Sequence, residues 1–227
     1  MRTMAVLRFH TDYRYTDRKT KAKYVWLKYQ SILHGRKILD VGADECHLKQ
    51  CLDEMASYWG IGLDGHPDQE LDLEQGVIPF PNNSFDCVLC LDVLEHLEHI
   101  HQIFDECCRV AREHVIFSLP NPLGIVYNRL RFGDYRPGQF TKFYGLPLEP
   151  PPDRHRWFFS NEEAEKFMLY RAGLNKMRVL QMEPEGMGGE PTHWKRLART
   201  VLFRKNLNLK NLYAGILWAV LEKLTDG

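Results

Sequence analysis

Asp64 stands 22 positions after Gly42, and each follows a run that reads as a buried strand. Gly42 ends the run Lys37–Val41. A tight turn there aims backbone N–H groups and the next helix N-terminus at a nucleotide-like cofactor. Asp64 closes the second strand at the spacing where an acid accepts hydrogen bonds from ribose, because two carboxylate oxygens match two vicinal hydroxyls. Asp72 closes the next extended piece and suits an adenine ring edge or exocyclic amine, directly or through water. For both acids the plainer reading is a solvated loop carboxylate. The turn itself is altered: Asp44 and Cys46 occupy the places where a cofactor loop usually carries its second and third glycines. Asp tolerates unusual φ better than most residues. Asp44 is also placed to cap the following helix through the N–H of Cys46 or His47.

Two histidines could move a proton near neutral pH. His96 follows the fourth strand, and His155 lies in the aromatic segment Asp153–Phe159. A lone histidine is more often structural. His96, His99 and His101 look like metal ligands, yet only the first two share a helix face and Glu95 does not complete a zinc motif. Cys87 and Cys90 sit in one strand with side chains on opposite faces. The reading is therefore that the chain holds no metal and that its six cysteines are free thiols, as suits a cytoplasmic protein. No leader-like segment is apparent, and no apolar run approaches the roughly 20 residues that span a bilayer. The run Gly60–Gly65 matches a dinucleotide fingerprint, but it overlaps a strand and leads into His66-Pro67-Asp68 rather than a helix, so it is set aside.

The elements that must position these groups follow from periodicity. Helices are predicted over Asp17–Leu33, Glu45–Met55 and Leu94–Arg112, with a further one opening at the capping box Ser160-Asn161-Glu162-Glu163 and ending at Gly173. Strands are predicted over 37–41, 58–64, 85–91, 114–119, 175–182 and 197–204, with a short extended piece ending at Asp72. Strands alternating with helices make an α/β fold: a Rossmann-like, doubly wound, seven-stranded, mostly parallel sheet with helices on both faces.

The chain's 227 residues fit a single domain. Residues 1–36 form a basic helical region, 120–160 a Pro-, Gly- and aromatic-rich lid over the acceptor side, and 206–225 a C-terminal amphipathic helix. Leu212, Ile216, Val220 and their neighbours give that helix a wide apolar stripe, with Trp218 on the opposite face. Core packing or a homodimer contact is the plain reading; a peripheral membrane contact is the other. Net charge is zero, so no nucleic-acid partner is expected, although both ends of the chain are basic and Asp40–Glu106 carries only Lys49 as a cation.

The ordered set Asp40-Val41-Gly42, Gly62-Leu63-Asp64, Asp72-Leu73-Glu74, Pro79–Asp86, Leu91-Asp92-Val93-Leu94-Glu95-His96 and Ser118–Pro122 resembles class I S-adenosylmethionine-dependent methyltransferases. The likeness is to the branch with the methionine-biosynthesis W protein and the ubiquinone O-methyltransferases, over about residues 36–182. The resemblance implies S-adenosylmethionine as cofactor, held by Asp40, Gly42, Ala43, Asp44, Asp64, Gly65, Asp72, Leu73, Leu91 and Asp92. Gly42 would approach the methionine part, Asp64 the ribose, and Leu91 and Asp92 the floor near the methyl. It also implies an acceptor pocket under the His155 segment, with His155 and His96 as candidate catalytic groups. Strand four ends in Cys90-Leu91-Asp92-Val93, without the tetrapeptide of adenine or glutamine N-methyltransferases and without a Pro-Cys nucleophile. The acceptor is then a small molecule or glycan precursor methylated at oxygen. The second reading, motivated by Asp44 and Cys46, is a catalytically degenerate fold serving as partner or regulator of another enzyme.

Overall fold

Seven strands form one sheet in the order β3-β2-β1-β4-β5-β7-β6. The computed structural model describes residues 9–131, 144, 148–150, 153–186, 208 and 210–224. β1 (Lys37–Val41), β2 (Ser57–Gly62), β3 (Gln69–Glu70), β4 (Phe85–Leu91) and β5 (Ala111–Pro120) run parallel. β7 (Ala214–Lys223) lies antiparallel between β5 and β6 (Met177–Gly186). The strand order reverses between β1 and β4, which opens a crevice beyond their carboxyl ends. Gly42 and Asp92 are the residues that follow these two ends.

The central strands are apolar on both faces, so each face needs a cover. Cys87 and Leu89 of β4 face one core with α1 (Arg18–Leu33), while Val88 and Cys90 face another with α2 (Ile100–Val110) and α4 (Asn161–Leu174). The two cysteines thus point to opposite faces, and all six thiols are free. α1 starts at a capping box in which the Asp17 carboxylate accepts the Thr20 amide at 2.8 Å. α4 starts at the anticipated Ser160/Glu163 box. α3 (Pro122–Arg131) occupies the start of the region read as a lid, and the short α5 (Lys210–Tyr213) packs against it.

Three sequence expectations are corrected. The helix over 45–55 is only a 3-10 turn, His47–Gln50, because Cys46 ahead of it is left-handed and makes no side-chain cap. The helix over 94–112 begins at Ile100, with a separate 3-10 turn at Leu94–His96. The C-terminal helix over 206–225 is replaced by α5 and β7. An apolar run such as Ile216–Leu221 satisfies helical and strand spacing alike, and two open strand edges decide for the strand. Trp218, placed on the outer face by the helical reading, is 1% exposed and donates Nε1–H to Glu185 at 2.9 Å. With the helix goes the homodimer or membrane contact assigned to it. The strand predicted over 197–204 and most of 132–152 lie outside the described residues. Among the described residues no helix is long and apolar enough to cross a membrane.

Candidate active site at the carboxyl ends of β1 and β4

The loop after β1 keeps a glycine-type backbone without the glycines. Gly42, Asp44 and Cys46 have φ of 77°, 48° and 51°, all in the left-handed region, which strains a non-glycine residue by about 1–2 kcal/mol. The amides of Gly42 and Ala43 both reach the Ile61 carbonyl, at 2.8 and 3.0 Å, which ties the loop to β2. His66 N–H donates to the Asp44 carbonyl at 2.9 Å. A Cβ on Gly65 (φ 76°) would lie 2.4 Å from the Asp44 carbonyl carbon, and one on Gly42 would lie 2.2 Å from Val93 Cγ2. Both glycines are therefore required by close approach as well as by φ.

The Asp44 carboxylate does not cap a helix as anticipated. It pairs with Arg18 of α1, while the Cys46 amide goes to the Ala43 carbonyl. Asp64 sits exposed just past β2. One Asp72 oxygen accepts the Glu74 amide at 3.0 Å and caps a 3-10 turn. Leu73 is buried in the core. Asp40 is also buried, and its carboxylate accepts the Tyr58 hydroxyl at 2.8 Å. Burial pushes the Asp40 carboxyl up to about 6, against the pull of that hydrogen bond and of the Lys21 charge.

At the end of β4 the half-buried Leu91 leads into Asp92, another left-handed non-glycine residue (φ 55°). Its carboxylate pairs with Lys21 and accepts the Ser118 hydroxyl at 2.6 Å. Desolvation pushes Asp92 up, but the Lys21 charge and the hydrogen bonds from Lys21 and Ser118 hold it below the ordinary carboxylate range. Lys21 is thus no solvated flank residue: its side chain is 13% exposed, with Nζ 4.9 Å from the Trp218 ring. Lys28, another member of the basic stretch, is buried and pairs with Glu183 at 2.8 Å.

His96 and His155, 59 positions apart, meet edge to face with ring centroids 4.5 Å apart. His96 Nδ1 contacts Asp153 at 2.7 Å, and His155 Nδ1 hydrogen-bonds the Tyr144 hydroxyl. The segment is stapled to the turn after β4: Arg156 N–H donates to the Glu95 carbonyl at 2.8 Å and Trp157 Nε1–H to the Leu97 carbonyl at 2.7 Å. Glu95 lies beneath, 1% exposed. Burial and the nearby Asp92 charge drive its carboxyl well above its ordinary value. Sequence reasoning missed Arg18, Lys21, Tyr144 and Ser118 here, and it named Glu95 only to set it aside. Residue type flagged the acid; nothing in the linear spacing tied it to His155. A separate hollow of about 230 Å³, lined by Tyr58, Trp59, Phe80 and Phe85, lies near the opposite, amino-terminal ends of the strands and has no part in the site.

The residues fit a methyl-donor cofactor. The loop keeps a left-handed backbone at Gly42, Asp44 and Cys46, and the carboxylates of Asp44 and Asp92 are each paired with a cation, Arg18 and Lys21. Residues 60–119 match the family model of a methyltransferase domain. No curated protein matches the chain. Among solved structures, the chain is similar to a SAM-dependent methyltransferase from Archaeoglobus fulgidus, at 17% identity and TM-score 0.56 over 90% of this chain and 94% of that one. It is similar to one from Mesorhizobium loti, at 16% identity and TM-score 0.54 over 88% and 97%. It is also similar to SpnF, a 4+2 cyclase, at 13% identity and TM-score 0.55 over 95% and 85%. These likenesses show the fold, which hosts more than one chemistry. The family model thus matches a segment running from β2 to β5, and the structural likenesses show a Rossmann-like fold.

Proposed function

We propose that the chain transfers the methyl group of S-adenosylmethionine to a hydroxyl oxygen of a small-molecule or glycan-type acceptor, as one methyltransferase domain of the branch it resembles. The observation that carries this reading is the loop at Gly42, Asp44 and Cys46, whose left-handed backbone persists although two of the three residues are not glycine.

In this reading Gly42, Ala43 and Asp44 hold the methionine part, Asp64 and Gly65 the ribose, and Asp72 and Leu73 the adenine. Asp40 supports the loop from below. The cofactor supplies an activated methyl on a good leaving group. The protein's task is then alignment, exclusion of water and care of one proton. Leu91 and Asp92 form the floor near the methyl, and the histidine pair stands on the acceptor side. His155 and His96 take up the hydroxyl proton or hold the hydroxyl in line. Six free thiols suit a reducing compartment, and we place the reaction in the cytoplasm.

Calorimetry with S-adenosylhomocysteine at micromolar protein tests the cofactor site. The expected result is binding that Asp64→Ala abolishes. A wild-type chain that binds neither the cofactor nor its demethylated product would overturn the reading.

A further inference from the structure

The geometry points to a divalent transition-metal site formed by Glu95, His96 and His155 at the acceptor side of the crevice. One ligand atom from each lies within 4.8 Å of the other two, and Glu95 Oε1 is 3.9 Å from His96 Nε2. An ion with bonds of about 2.1 Å to tetrahedral ligands needs them roughly 3.4 Å apart. Side-chain rotations of about 1 Å close that difference. The inference rests on reading this end of the crevice as the acceptor site and gives that site its electrophile.

Three observations converge. The first is an orphaned atom: Glu95 Oε2 is buried and makes no hydrogen bond. A buried carboxylate oxygen left without a partner is costly, and a cation beside it would offset that cost. Lys21, an ammonium that acts on Glu95, is already committed to Asp92. The other charged groups facing it, Asp92 and Asp153, are acids that add to the demand for positive charge.

The second is the outer shell. His96 Nδ1 is held by the Asp153 carboxylate and His155 Nδ1 by the Tyr144 hydroxyl. An Nδ1–H donated to such a partner fixes the tautomer that presents Nε2 as a ligand, an arrangement metal-binding histidines usually show. The third is rigidity. The hydrogen bonds from Arg156 and Trp157 to the Glu95 and Leu97 carbonyls fix the segment carrying His155 onto the turn carrying Glu95 and His96.

Two imidazoles and one carboxylate suit Zn²⁺, Mn²⁺, Fe²⁺ or Co²⁺ rather than Mg²⁺ or Ca²⁺, which prefer oxygen throughout. Three protein donors leave coordination positions for water or an acceptor oxygen. The acceptor class this favours is one that offers an oxygen donor, or two adjacent ones, to the ion. The sequence reading that excluded a metal measured spacing only along the helix around His96. It compared His96 with His99 and His101, while the third ligand comes from a segment 59 residues away.

The test is titration of the chelator-treated full chain with Co²⁺, followed by visible d–d absorption, with Zn²⁺ calorimetry in parallel. One ion per chain is expected. Affinity should fall by about 100-fold or more in Glu95→Gln and His155→Ala, and by about 10-fold in Asp153→Asn, where only the outer shell changes. S-adenosylhomocysteine affinity, measured on the same samples, reports on folding and should be unchanged in Glu95→Gln. If Glu95→Gln does not fold, His96→Gln takes its place. Wild-type chain that binds S-adenosylhomocysteine but no Co²⁺ overturns the metal site and leaves the methyl-transfer reading standing. Co²⁺ binding without S-adenosylhomocysteine binding does the reverse. Co²⁺ affinity that none of the substitutions changes places the ion elsewhere and overturns the site.

Discussion

Replacing Asp40 by Asn isolates the electrostatic strain under the cofactor loop. Asp40 is buried beneath Gly42, and its carboxyl is raised from 3.8 to about 6 by burial. The folded state therefore holds the proton more tightly than the unfolded chain. Between these two values the native protein binds more protons, so the Asp40 contribution to stability falls as pH rises and is fully lost above about pH 6. A shift of roughly two units corresponds to about 3 kcal/mol. Asn carries no charge and keeps an oxygen to accept the Tyr58 hydroxyl. The variant should therefore gain on the wild type by up to about 3 kcal/mol on going from roughly pH 4 to pH 7.5. Any fixed cost of the added amide hydrogens is the same at every pH and drops out of the slope. Urea unfolding of the cofactor-free protein across that range measures the difference directly. A variant-minus-wild-type difference that stays flat with pH, or that grows toward acid, refutes the argument that burial governs this carboxylate.

Two further outcomes follow from packing. Gly42→Ala puts a methyl group where Val93 Cγ2 now sits, at 2.2 Å, and should weaken S-adenosylhomocysteine binding by about tenfold or more. Adding Val93→Ala should restore part of that loss in calorimetry, because the clash is relieved while the strain of φ 77° persists. Trp218→Ala should cost about 3–5 kcal/mol in urea unfolding, since the ring is fully buried against Tyr24 and Tyr29. Trp218→Phe should cost less, having lost mainly the bond to Glu185.

What could be read from the chain was whatever is encoded locally. β1 and β4 were legible to the residue because parallel central strands are continuous apolar runs, and α4 because its capping box is written in four adjacent residues. β7 was not, since a run apolar at nearly every position has no period of its own and takes its structure from the β5 and β6 edges. Among site residues, Asp64 was visible through its spacing from Gly42. The left-handed backbone at Asp44 and Cys46 was not, because residue type argued against it and contacts distant in sequence, with the Ile61 carbonyl, His66 and Gly65, surround that loop. Lys21 was lost among its basic neighbours: a charge in a run of charges reads as solvated until the packing shows which one is turned inward.

The placement of β7 has a consequence for synthesis on the ribosome. It is the latest strand in the chain, yet it lies inside the sheet, bonded along both edges. Until residues 214–223 leave the exit tunnel, β5 presents an open edge. β6, already translated, has no strand to dock on, because among the described residues its only neighbour in the sheet is β7. The cofactor crevice between β1 and β4 belongs to the part of the sheet that can assemble early. A nascent chain can thus shape its methyl-donor loop while its far edge stays open to mispairing. The interval between those two events is when the growing polypeptide most needs shielding.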